Sequence, residues 1–123
     1  MAFLTDRKRA LGLGSGHQGT DHHWHMMASS MALLFAIPAF VITFGIGLGK
    51  PHDEVLAYYG QPLPAIVLGL SLIVIINHVM QEALVAVEDY VHGVPQKLTL
   101  MAVKGASFTL IAVALFAVAR MAL

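Results

Sequence analysis

The sequence predicts an all-α integral membrane protein with three transmembrane helices and its N-terminus on the cytoplasmic or matrix side. Three observations lead there. Of the 123 residues, 58% are apolar and only 11% charged, whereas a soluble domain carries about a quarter charged residues. Mean hydropathy is +0.76. Three apolar runs, residues 26–48, 63–80 and beyond, and 98–123, each supply the roughly 20 residues that a spanning helix needs, and only the last is interrupted, by Lys104 and Arg120. The chain is expected to form a single membrane domain over 1–123, with a polar tail at 1–21 and helices near 22–49, 63–90 and 97–121.

Composition also excludes several chemistries. With no cysteine, the chain holds no disulfide, thiolate metal site or iron–sulfur cluster of its own. A formal net charge of zero gives no overall basic character toward nucleic acid. The tail reads as a flexible or partner-bound lead-in. It is not a secretory signal, because Arg7-Lys8-Arg9 is not followed directly by an apolar core and a small-residue cleavage site. Gly12, Gly14, Gly16 and Gly19 do not make a phosphate loop, since no strand precedes them and no Gly-Lys-Ser/Thr follows.

Thr20 or Asp21 can cap the first helix, and Trp24 marks the headgroup level. His17, His22, His23 and His25 read as interfacial polar residues rather than a metal site, since no carboxylate or cysteine completes a ligand set. Ser29 and Ser30 either bond back to helix carbonyls, allow close helix packing, or touch a ligand. Glycines and Pro51 stop this helix after Gly45. Residues 50–63 are expected to be a short loop, with Tyr58 and Tyr59 at the far interface. Pro62 and Pro64 open the second helix, where proline costs little, and Gly93 with Pro95 closes it after Tyr90. The third helix starts near Lys97, and Lys104 lies close enough to its end to snorkel.

Arg7, Lys8, Arg9, Lys97 and Lys104 fall on one side of the membrane, Lys50 and Arg120 on the other. The excess puts the N-terminus and the 91–97 loop inside. The start of helix 1 and the end of helix 2 then share a face of the bilayer. Trp24, His25, Ser29 and Ser30 are accordingly expected near Asp89, Tyr90 and His92.

The stretch Asn77-His-Val-Met-Gln-Glu-Ala-Leu-Val-Ala-Val-Glu-Asp-Tyr-Val-His-Gly93 carries the chemistry. His78, Glu82, Val85 and Asp89 fall on nearly one line of a helix, with His92 continuing it and Asp89 roughly 16 Å from His78 along the axis. His78 lies near the bilayer midplane, where an unpaired polar ring is costly. Three roles fit it: a structural histidine bonding a neighbouring helix, a proton-relay member, or a haem ligand. No other histidine of this chain reaches that depth, so a haem would need its second axial ligand from another chain. Glu82, expected in the interior, reads first as a partner of a group on another chain and second as a proton-transfer group. Met26, Met27, Met31, Met80 and Met101 read as packing.

His78 followed eleven residues later by Asp89-Tyr90, within Val87-Glu88-Asp89-Tyr90-Val91-His92-Gly93, resembles the second helix of the smaller hydrophobic membrane anchor of succinate dehydrogenase, respiratory complex II, in its α-proteobacterial and mitochondrial form. The polar Gly-Thr lead-in before a His/Trp cluster and Pro38 in helix 1 are similar too. The resemblance implies that His78 is an axial ligand to the iron of a haem b, shared with a histidine of a second, cytochrome b-type partner anchor. It implies that Tyr90 donates a hydrogen bond to a ubiquinone carbonyl with Asp89 as its acidic neighbour, and that Ser29 and His25 lie in the vicinity of haem and quinone. It further implies a flavoprotein subunit with FAD and an iron–sulfur subunit with its clusters as partners. The setting would be lipid of the bacterial inner membrane, or alternatively the mitochondrial one, at the link between the tricarboxylic acid cycle and the respiratory chain.

The residues agree with a quinone site, which needs a donor and proton-exchanging groups near the aqueous face. On that reading the chain carries no catalytic residue of its own and acts only within the enzyme. One position departs from the family. Where the family has Gln-Arg after the helix 1 tryptophan, and the arginine helps hold the haem propionates, this chain has Met26-Met27-Ala28-Ser29-Ser30. His22, His25 or basic residues of the partner would have to substitute. Two other readings stand beside this one: a haem-free anchor of a related quinone oxidoreductase, and a small non-redox membrane subunit whose Glu82, Asp89 and His92 relay protons.

Overall fold

A computed structural model describes residues 3, 5–12, 14 and 19–123. His17 and Gly16 lie outside the described residues. Among the described residues five helices follow one another: α1 (Asp6–Leu11), α2 (Asp21–Gly47), α3 (His52–Tyr59), α4 (Pro62–Tyr90) and α5 (Val94–Ala122). Three of them, α2, α4 and α5, are long and apolar enough to cross a membrane, with mean hydropathies of 2.1, 2.2 and 2.0. This is the all-α, three-span architecture that composition and run length predict.

The spans form a row with α4 in the middle, packed against α2 on one side and α5 on the other. Within their most apolar stretches 33% of α4 is buried, against 6% of α2 and 11% of α5. Small residues make the central approach possible: Ala65, Gly69 and Ser71 are buried together with Leu68. Ser71 satisfies its own hydroxyl by donating to the carbonyls of Val67 at 2.6 Å and Leu68 at 3.1 Å, so the row carries no unpaired hydroxyl there. Leu34, Phe35, Phe108 and Phe116 stand exposed on the outer faces. Such an apolar exterior suits lipid or the apolar face of another subunit.

Two helices depart from the sequence expectation. The tail contains α1, whose N-terminus is capped by Thr5 accepting from the Lys8 amide at 3.2 Å. The expected loop at 50–63 holds α3, which folds back on the end of α2. Its anchor is Tyr59, which is buried, stacks on Phe44 with ring centroids 6.4 Å apart, and donates its phenol hydrogen to the Phe44 carbonyl at 2.6 Å. The ring lies over Gly47, where a Cβ would occupy the space of the phenol.

At the opposite end, α4 stops at Tyr90 and Val91 is already extended. Gly93 turns the chain with φ +76, a value that favours glycine. The third span then begins at Val94 rather than near Lys97, with Pro95 in its first turn, where a missing amide hydrogen costs little. His92 therefore lies beyond the end of the helix and does not continue the stripe of His78, Glu82 and Asp89.

Candidate functional site

The crossing of α2 and α4 brings together the polar groups of two otherwise apolar spans. Ser29 lies in the third turn of α2, and its hydroxyl reaches back to the Met26 carbonyl at 3.0 Å. The same oxygen is 2.8 Å from Nδ1 of His78 on α4. His78 is thus held by a neighbouring helix, its side chain 14% exposed. Its other nitrogen, Nε2, lies 3.7 Å from Oε1 of Glu82, beyond hydrogen-bond range.

Glu82 does not sit inside this chain. Its side chain is 59% exposed, against 14% for His78 one turn before it. Its near neighbour is the imidazole of the same helix.

Beside the Ser29–His78 contact is a cavity of about 440 Å³ lined by His22, His25, Ala28, Ser29, Asn77 and Gln81. A second opening, of about 370 Å³, is lined by Asp21, Trp24, His25 and Ala28, so His25 and Ala28 border both. Imidazoles and amides can each donate or accept a hydrogen bond, which makes the first cavity a place for a polar or anionic group between two apolar helices. Among the described residues, no three histidine, aspartate or glutamate side chains gather as a metal centre.

Asp89 and Tyr90 lie elsewhere. They occupy the last turn of α4, exposed, with Tyr90 at 85%, and at 1.5 Å per residue Tyr90 stands about 18 Å along the axis from His78. Among the described residues no hydrogen bond joins either of them to α2. The expected approach of His25, Ser29 and Ser30 to Asp89, Tyr90 and His92 is therefore replaced by another register: Ser29 meets His78, His25 borders the cavity of Asn77 and Gln81, and α4 runs on past the start of α2. Ser30 turns its hydroxyl back to the Met26 carbonyl at 2.8 Å. The end of α4 is instead tied to α5, where the Gln96 amide donates to the Glu88 carbonyl at 3.3 Å.

Sequence reasoning missed Asn77 and Gln81. Their signal is present, since two amides one turn apart flank His78 inside an apolar run and so share a helix face.

The sequence profile of the family described as succinate dehydrogenase/fumarate reductase transmembrane subunit matches residues 2–119. The succinate dehydrogenase hydrophobic membrane anchor subunit of Paracoccus denitrificans is 37% identical over 123 residues, covering 100% of this chain and 95% of that protein. No solved structure matches the chain.

Proposed function

The chain belongs to the succinate dehydrogenase/fumarate reductase transmembrane subunit family, and on that footing we propose that it is a membrane anchor of succinate dehydrogenase in a bacterial inner membrane, giving His78 to a shared haem b and Tyr90 with Asp89 to a ubiquinone site. The observation that carries the reading is the state of His78. One ring nitrogen is fixed by Ser29 across the helix contact while the other has no hydrogen bond among the described residues. A histidine that would hold the haem iron needs that arrangement, one nitrogen oriented by the protein and the other holding a free lone pair.

The donor set fits one haem ligand from this chain and asks for a second from a partner anchor. When bound, the haem supplies a one-electron carrier within the membrane. His22 and His25 border the polar cavity next to Ser29, and their imidazoles would supply hydrogen-bond donors to the propionates in place of the absent arginine. Tyr90 and Asp89 end α4 in a polar turn. There the phenol donates to a quinone carbonyl, and the carboxylate exchanges protons with water while the quinone is reduced. The exposure of both side chains in the isolated chain leaves them open to an iron–sulfur protein docked on the same face. With the N-terminus inside, that face is the cytoplasmic one.

A haem-free anchor is the second reading: a structural histidine would make the same Ser29–His78 hydrogen bond, but would give no use to the unbonded Nε2. The proton-relay reading is weaker: Val85 separates Glu82 from Asp89 by about 10 Å of apolar helix face, and His92 lies off the helix. Purification of the intact complex with a reduced-minus-oxidised spectrum tests the proposal. A b-type signal lost on His78→Ala supports it, and a native complex without such a signal leaves only the haem-free anchor.

A further inference from the structure

We infer that Ser29 is the positioning residue that fixes the tautomer of His78, holding the proton on Nδ1 and leaving Nε2 bare for metal; the inference rests on the haem reading above. The proton count on Ser29 carries it. A serine hydroxyl has one hydrogen to give and two lone pairs to receive. Its oxygen has two partners, the Met26 carbonyl at 3.0 Å and His78 Nδ1 at 2.8 Å. A carbonyl oxygen only accepts, so the hydroxyl hydrogen goes to Met26, the usual back-bond of a serine within a helix. A lone pair of the same oxygen then receives a hydrogen from His78, and Nδ1 is the donor.

The opposite assignment leaves a poorer balance. If Ser29 gave its hydrogen to Nδ1, the ring would carry its proton on Nε2. The nearest acceptor there, Glu82 Oε1, is 3.7 Å away, too far for a hydrogen bond. An N–H without an acceptor in an apolar span is costly, and unpaired donors are rarer than unpaired acceptors. Among the described residues no buried side-chain nitrogen or oxygen lacks a partner, so the unbonded Nε2 is not fully enclosed by this chain.

An Nδ1–H bonded to an oxygen makes the imidazole a stronger electron donor through Nε2, which favours the oxidised metal. Loss of the bond should raise the midpoint potential of the haem and weaken its retention. Threonine and valine have the same shape and differ in the hydroxyl, so Ser29→Thr and Ser29→Val separate the hydrogen bond from packing. In the intact complex, redox titration of the b-type signal should place Ser29→Thr with the native protein. Ser29→Val should titrate at a higher potential and lose haem to a competing apoprotein about tenfold faster, the lower end of the effect of removing such a partner. Ser29→Ala, which introduces no bulk, must shift in the same direction.

Native, threonine, valine and alanine forms titrating together, while His78→Ala abolishes the signal, would overturn the inference and leave the haem reading standing. Persistence of the native signal in His78→Ala would overturn both.

Discussion

Ser29 on α2 and His78 on α4 meet at 2.8 Å across 49 residues of sequence, and this contact marks the register of the two spans. It shows which polar groups share a level of the membrane: His22, His25 and Ser29 with Asn77 and Gln81, and not with the Asp89-Tyr90 turn. The chain therefore presents two separate polar regions on one helix, one held inside the row of helices and one at its end.

The contact itself contributes modestly to assembly. Interhelical hydrogen bonds in membranes average about 0.6 kcal/mol, so Ser29→Ala should lower the thermal stability of the detergent-solubilised complex only slightly and leave its subunits together. Co-purification of all subunits with the variant checks this.

Tyr90→Phe removes the proposed donor and little else, because the ring is exposed. A neutral hydrogen bond is worth about 0.5–1.5 kcal/mol. Succinate-driven ubiquinone reduction should fall roughly two- to tenfold, while succinate oxidation by a soluble dye that bypasses the anchor stays unchanged. Equal losses in both assays would place the defect outside the quinone site.

Replacing His22 and His25 together with alanine should weaken haem retention, since both border the cavity beside Ser29. Haem content per complex after extended dialysis is the measurement. Native content would show that the propionates are held by the partner.

Gly47→Ala places a methyl group in the space of the Tyr59 phenol, and should destabilise the α2–α3 corner by about 1–3 kcal/mol, the usual cost of overpacking. Burial, with a smaller contribution from Tyr58, holds the Tyr59 phenol above its ordinary pKa of 10.0. Raised above the unfolded value, it adds stability that is fully present below that value and is lost as pH rises through the folded pKa. An alkaline absorbance titration should therefore show one late-ionising phenol, absent in Tyr59→Phe.

The spans were legible because each is an apolar run bounded by glycine or proline, and membrane crossing depends on little else. The helix α3 was not. Its eight residues include Asp53, Glu54 and two tyrosines, a polar pattern that becomes an ordered corner only when Tyr59 finds the bare backbone of Gly47. His78 stood out as a lone imidazole in an apolar run. Its partner did not, because the register between antiparallel helices depends on how α3 and the following turn take up chain, and residue spacing within one helix carries no such information. For the same reason residue spacing alone puts His25 and Ser29 near Tyr90.

Haem binding by His78 through Nε2 is tested most directly by the reduced-minus-oxidised spectrum of the gently purified complex, native and His78→Ala, normalised to its flavin content. The native complex should give a b-type signal that is lost or shifted in the variant, with the subunits still associated. An unaltered signal in the variant, or no signal in the native complex, would contradict it.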